Sequence, residues 1–174
     1  MITMLSDKTG MGREMYDAIV KTREDVRHFN LEGMSVEPCY ACRGCEEKTY
    51  GKCVIRDDAD MILPCLVRSD TIIVFTPIVF GGYSFQIKRV VDKFNLIVDR
   101  HYYCRDGELA KSKHGRRVRY YAIGFQDNDD AEEAEVFRQL VRETISIATW
   151  TGKAIVMPHE SADYGKLFEE WRAS

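Results

Sequence analysis

The sequence predicts a single α/β domain built on a parallel sheet. Three observations carry that expectation: runs of strand character alternate with stretches of helical spacing, the most apolar run is uninterrupted, and no linker, internal repeat or low-complexity segment divides the 174 residues. The uninterrupted run is Thr71-Ile72-Ile73-Val74-Phe75, β-branched and aromatic throughout. Such a run is of the kind buried on both faces of a parallel sheet, so it is expected at the centre. The length is close to the ~150 residues of one domain with one sizeable core, so residues 1–174 are taken as one unit.

The elements follow in order. Met1 to Leu5 is a short apolar strand, followed by the polar, glycine-containing turn Ser6-Asp7-Lys8-Thr9-Gly10-Met11-Gly12 and by Met11, Met15 and Ile19 at helical spacing. Val26 to Leu31 is a second strand that runs into an irregular cysteine-rich loop at 37–56. Asp57 and Asp58 supply cap-type side chains for a helix over Ala59 to Arg68, which Pro64 should keep short or bent. After the central strand and the turn Thr76 to Gly82, Ile87, Val90, Val91, Phe94, Ile97 and Val98 mark an amphipathic helix whose other face carries Lys88, Arg89, Asp92 and Lys93. A charged stretch from Arg105 to Arg117 leads to a strand at Val118 to Ile123. The next helix aligns Phe137, Leu140, Val141, Thr144 and Ala148; Ala154 to Met157 is a fifth strand and Tyr164 to Trp171 a last helix. This alternation implies a parallel sheet with helices on both faces.

Composition narrows the function. Apolar residues at 45% and charged residues at 30% are globular, and a net charge of -3 gives no general attraction to a phosphate backbone, so nucleic acid is not an expected partner. No run approaches the ~20 apolar residues of a membrane span, and the N-terminus lacks a basic segment followed by an apolar stretch. A soluble, cytoplasmic protein with no membrane partner is the expectation. Of six cysteines, four fall within fifteen residues, whereas secreted disulfide frameworks spread theirs.

The segment Cys39-Tyr40-Ala41-Cys42-Arg43-Gly44-Cys45 sets three thiols at CxxCxxC spacing, and Cys53 follows after seven more residues. Four thiolates complete the coordination of a 4Fe-4S cube, and Gly44 and Gly51 give the loop freedom to wrap it. A structural zinc site is the alternative occupant, although zinc usually draws on two separated CxxC pairs; unmetallated thiols are the third reading. Cys65 reads as a small core residue and Cys104 has no role.

Two loops are candidates for a ligand. Ser6, Lys8, Thr9 and Gly10 suit an anion at the positive end of a first helix, whereas Met15 stands where a dinucleotide fingerprint needs its third glycine. Thr76-Pro77-Ile78-Val79-Phe80-Gly81-Gly82 leaves the carboxyl end of the central strand, where open α/β sheets bind ligands. Phe80 or Tyr83 would lie against a flat ring. The alternative is a tight turn with a packed phenylalanine. Gly124-Phe125-Gln126-Asp127 is a third wall.

The CxxCxxC-x7-C segment ending in Gly51-Lys52-Cys53-Val54-Ile55-Arg56-Asp57-Asp58, then a strand, then Thr-Pro-x-x-x-Gly-Gly and a Gln-x-Lys helix, resembles the NADPH-dependent FMN reductase family of the flavodoxin-like superfamily, and within it the iron-sulfur flavoprotein branch. The resemblance is most specific between Pro38 and Phe94. It implies a flavodoxin-like three-layer sandwich with a five-stranded parallel sheet of order 2-1-3-4-5, FMN at the carboxyl edge, and a 4Fe-4S cluster on Cys39, Cys42, Cys45 and Cys53. Ser6, Lys8, Thr9, Gly10, Met11 and Gly12 would surround the FMN phosphate. Pro77, Ile78, Val79, Phe80, Gly81 and Gly82 would border the ring, with Gly124 beyond. The first loop is closer to the Ser/Thr-rich loop of flavodoxins than to the Gly-Ser-Pro-Arg type, and Val79-Phe80 stands where the family commonly has Tyr-Trp. The implied activity is an oxidoreductase that transfers electrons between a reduced donor, ferredoxin or NAD(P)H, and an unnamed acceptor, in a homodimer or tetramer. An NAD(P)H-dependent FMN or quinone reductase without a cluster, and a non-catalytic zinc-stabilised binding module, are the alternatives. His28, His101, His114 and His159 are scattered and read as ordinary surface or satisfied side chains.

Overall fold

In the computed structural model, which describes residues 1–111, 117–158 and 163–173, strand and helix alternate from the first residues onward. His114 and His159, and residues 112–116 of the Arg105 to Arg117 stretch, lie outside the described residues. The elements are β1 (Ile2–Ser6), α1 (Arg13–Val20), β2 (Val26–Asn30), α2 (Gly44–Glu47), α3 (Ala59–Arg68), β3 (Thr71–Val79), β4 (Gly82–Tyr83), α4 (Phe85–Val91), β5 (Tyr103–Arg105), β6 (Glu108–Ala110), β7 (Arg119–Gln126), α5 (Ala131–Ala148), β8 (Thr151–Pro158) and α6 (Tyr164–Ala173). Short 3₁₀ turns cover Leu31–Gly33 and Asp92–Leu96.

Five parallel strands run in the order β2-β1-β3-β7-β8, the 2-1-3-4-5 arrangement expected. The central run lies in β3, between β1 and β7. Strand periodicity divides it between two apolar layers. Ile72 and Val74 pack with Ile62, Leu63 and Leu66 of α3, Ile87 and Val90 of α4 and Phe137 and Val141 of α5. Ile73 and Phe75 face the opposite side with Met15 and Ile19 of α1 and Trp171 of α6. Two helical layers therefore sandwich the sheet, and the strand ends that carry ligands in such folds share one edge. Register fixes that edge: Ser6 lies between Asn30 and Phe75, and Thr76 lies beside Gly124. Among the described residues no helix is long and apolar enough to cross a membrane.

Local chemistry explains the helix ends. The Asp57 carboxylate accepts the Ala59 N–H (2.9 Å) at the start of α3, Ser84 accepts from Ile87 (3.3 Å) at α4, and Asp130 accepts from Glu132 and Glu133 (3.0 Å each) at α5. Pro64 sits on the exposed side of α3, which continues through it for ten residues in all.

Three details differ from the sequence expectation. The helix expected through Val98 ends as an α-helix at Val91 and tightens into the 3₁₀ turn, whose shorter period rotates Lys93 inward. Lys93, placed on the polar face by a 3.6-residue period, is in fact 1% exposed and bonded to Asp57. The turn from Thr76 to Gly82 is mostly strand: β3 extends to Val79 and returns as β4 through a two-residue hairpin turn in which Phe80 and Gly81 have φ of 50° and 71°. The charged stretch begins with a second hairpin, β5–β6, turned on Asp106 and Gly107 (φ 53° and 87°), an Asp-Gly signal that alternation alone did not reveal.

Candidate functional site

The four clustered cysteines converge. Cys39, Cys42, Cys45 and Cys53 all line one cavity of about 250 Å³, walled by Tyr40, Val54, Ile55, Leu96 and Tyr102. All four are free thiols. The loop reaches this shape through left-handed backbone at Ala41 and Arg43 (φ 52° and 56°) and through Gly44, where a Cβ would lie 2.5 Å from Val54 and 3.6 Å from the Cys42 sulfur. Among the described residues, no three His, Cys, Asp or Glu side chains stand close enough to hold one metal ion. A tetrahedral zinc with bonds of about 2.3 Å needs its sulfurs within about 4 Å of one another. Four thiols that border one cavity match the donor set of a 4Fe-4S cluster in number and kind. Burial, followed by the neighbouring Glu46 carboxylate, pushes the Cys45 thiol up.

The loop is clasped at its base. Ser35 N–H donates to the Asp58 carboxylate (2.7 Å) and Glu37 N–H to the Asp57 carboxylate (2.8 Å), while Asp58 N–H returns to the Ser35 carbonyl (3.1 Å). Lys93 Nζ completes the Asp57 site at 2.6 Å, with both side chains almost wholly buried. Burial acts to raise the Asp57 carboxyl, but the bonds from Lys93, Glu37 and Ala59 outweigh it and hold it below the usual carboxylate range. A second buried lysine, Lys111, donates to Glu46 (2.7 Å) and Asn95 (3.2 Å) and lies 4.6 Å from the centre of the Tyr102 ring. The Lys111 bond is the main cause of the lowered Glu46 carboxyl. Two ion pairs thus lock two cavity-lining segments, 45–46 and 92–96, to the rest of the fold. Sequence reading missed both, because each lysine and its carboxylate are 36 or more positions apart.

The first loop lies where expected, at the end of β1, but most of its polar groups are engaged within the chain. Ser6 is buried in the sheet with its Oγ 2.9 Å from His28 Nε2, so His28 is a satisfied, half-buried histidine whose pKa burial lowers. Asp7 is buried, with its N–H on the Phe75 carbonyl (3.1 Å) and its carboxylate on the Ser84 hydroxyl; Ser84 N–H reaches Thr76 Oγ1 (2.9 Å). This chain of bonds ties the first loop to the β3–β4 hairpin. Thr9 donates its N–H (2.9 Å) and its hydroxyl to Glu32, and accepts from Asn30 Nδ2 (2.7 Å). Those donors hold the Glu32 carboxyl below its ordinary range. Lys8 is exposed and its carbonyl accepts the Met11 N–H (3.2 Å); the Gly10 carbonyl accepts from Arg13 (3.1 Å). Met11 packs into the α1 layer. A Cβ on Gly12 would lie 2.7 Å from the Phe75 ring.

The hairpin brings the second set of candidates to the same edge. Phe80 stands at its tip with 98% of its surface exposed, and Val79 beside it is half exposed. Gly81 N–H donates to Glu133 Oε1 (3.2 Å), and a Cβ on Gly81 would lie 2.5 Å from Val136, so the turn rests directly on α5. Pro77 is half-buried, Ile78 is buried in the α5 layer, and Gly82 pairs with Val79. Gly124 faces the same layer: a Cβ there would meet Ile78 and Phe137 at 2.7 Å. Ile78 and Gly124 are therefore packing positions beneath the edge, while Val79 and Phe80 project from it.

Over 81 residues, 47% of this chain, the sequence is 37% identical to an iron-sulfur flavoprotein of Methanocaldococcus jannaschii. That stretch is related to the iron-sulfur flavoproteins. The relationship meets the resemblance seen in the cysteine segment, although the chain spans only about two fifths of the length of this relative and less than half of the others it matches. No protein-family profile matches the chain. Its backbone is similar to that of an NAD(P)H:quinone oxidoreductase from Methanothermobacter marburgensis, with a TM-score of 0.60 at 10% identity over 99% of this chain and 95% of that one. It is also similar to an FMN-dependent NADH-azoreductase from Bacillus anthracis solved with FMN, with a TM-score of 0.56 at 12% identity over 98% and 93%. These neighbours establish the flavodoxin-like fold.

Proposed function

We propose that the chain is a redox flavoprotein: an oxidoreductase that holds a 4Fe-4S cluster on Cys39, Cys42, Cys45 and Cys53, binds FMN at the carboxyl edge of its sheet, and passes electrons from ferredoxin or NAD(P)H to an acceptor. The observation that carries the proposal is the convergence of all four thiols on one cavity, within a chain related to proteins named iron-sulfur flavoproteins. A flavin exchanges electrons in pairs or singly and a cube singly, so a chain holding both links the two kinds of chemistry.

The residues divide the work. The ion pairs of Lys93 and Lys111 and the clasp at Asp57 and Asp58 fix the cysteine loop, so little ordering remains when the thiols take a cluster. Tyr40, Val54, Ile55, Leu96 and Tyr102 supply apolar surface beside the sulfurs. Lys8, Thr9 and Gly10 line the turn at which a flavin phosphate would sit, with both Thr9 donors already on the Glu32 carboxylate. Val79 and Phe80 offer apolar surface to a flat ring, with Gly81 and Gly82 shaping the turn that presents them. Homo-oligomers assembled through this edge would cover the exposed Phe80.

Anaerobic purification, followed by a visible spectrum and counts of iron, acid-labile sulfide, zinc and flavin, tests the proposal. It expects a broad iron-sulfur band with four iron and four sulfide per chain, lost in Cys42→Ser while flavin binding persists. Zinc without sulfide overturns the cluster, and a protein that takes up neither FMN nor riboflavin overturns the flavin.

A further inference from the structure

In the first loop, both donors of Thr9 are occupied by a carboxylate of the chain itself. We propose that Glu32 determines which flavin this loop accepts: its carboxylate takes both donors of Thr9, so the wild-type protein gains little from a flavin 5′-phosphate and holds FMN and riboflavin with similar affinity. The inference rests on flavin binding at this edge, as proposed above, and adds a rule for its selectivity.

The geometry is preorganised by the sheet. Ser6 pairs with Asn30 at the ends of β1 and β2, which sets Thr9, three residues past one strand end, opposite Glu32, two residues past the other. Asn30 holds both sides: its side-chain oxygen accepts the Glu32 N–H (3.2 Å) and its Nδ2 donates to the Thr9 hydroxyl (2.7 Å). With that hydroxyl oxygen receiving a proton from Asn30, its own proton goes to Glu32, beside the Thr9 N–H bond to the same carboxylate oxygen. A tethered carboxylate competes at an effective concentration of roughly millimolar or more, and an incoming phosphate must displace it and accept its repulsion. Glu32 is itself exposed, so its removal opens the loop without leaving a cavity.

The test measures dissociation constants for FMN and riboflavin by flavin fluorescence, on flavin-stripped protein, for wild type, E32A, E32Q and the double variant E32A/T9V, with far-UV circular dichroism to verify folding. The expected wild-type ratio of riboflavin to FMN dissociation constants is within about threefold. In E32A it rises about tenfold or more through tighter FMN, since hydrogen bonds to a charged group are worth that much; riboflavin is unchanged and E32Q falls between. Adding T9V removes the gain. Strong FMN preference in wild type, or an unchanged ratio in folded E32A, overturns the role of Glu32 while leaving flavin binding intact. Failure of every variant to bind either flavin overturns both.

Discussion

Replacing Lys93 by methionine removes one charge from a buried pair while keeping most of the side-chain volume. Lys93 is 1% exposed, the Asp57 side chain is 4% exposed, and they meet at 2.6 Å. Breaking a buried pair from one side typically costs about 3–5 kcal/mol, because the other charge is left uncompensated. Here the Asp57 carboxylate keeps the N–H groups of Glu37 and Ala59, so the expected loss for Lys93→Met is near the lower bound, about 3 kcal/mol. Against a typical total of about 5–15 kcal/mol, that is a large fraction. Urea unfolding of wild type, K93M, D57N and K93M/D57N under reducing conditions reads it out. The double variant should recover about 1–3 kcal/mol relative to additivity, since the two residues share one interaction. Limited proteolysis should cut between residues 37 and 56 faster in K93M. A K93M protein within about 0.5 kcal/mol of wild type, or a double variant that is strictly additive, would refute the claim that this pair clamps the cysteine loop.

The same carboxylate gives a pH prediction. Its folded pKa lies below its unfolded value of about 3.9, so its stabilising contribution is present above that value and is lost as pH falls through the folded pKa; D57N should show a shallower acid-unfolding profile between pH 5 and the acid limit of about pH 2. Tyr83, pushed up to about 12 by burial against the Tyr120 hydroxyl at 2.9 Å, contributes stability below its unfolded value of about 10 that is lost as pH rises toward 12. Burial raises Tyr120 as well, so ultraviolet titration should show late phenols with one fewer in Tyr83→Phe. Gly152 has φ of 131° and its Cβ would fall 1.9 Å from the Tyr120 carbonyl oxygen, so Gly152→Ala should separate β7 from β8 and cost about 3 kcal/mol or more in thermal unfolding. Phe80→Ser should leave stability within about 0.5 kcal/mol of wild type, because the ring is 98% exposed, yet weaken flavin binding by fluorescence titration.

The layers and the order of the sheet were legible because they depend on local periodicity. Val74 and Phe75 alternate between two apolar layers whatever surrounds them, and the Cys39 to Cys53 spacing is a local signal that survives without tertiary knowledge. The hairpin at Phe80 was less legible: Gly81-Gly82 marked a turn, but only pairing of Ile78 with Tyr83 makes β3 continue through Val79. Lys93 was misplaced because one turn of 3₁₀ geometry changes which face a residue occupies, and the carboxylate that justifies burying it comes from a different element.

By itself, then, the sequence determined the α/β class, the strand order through its resemblance, and a cluster of four thiols. Tertiary structure alone decided that the thiols share a cavity, that two buried lysines brace it, and that Glu32 takes both donors of Thr9 in the first loop. Periodicity and spacing are encoded over a few neighbouring residues. Whether a donor is free or already satisfied depends on a partner that only the pairing of β1 with β2 brings within reach.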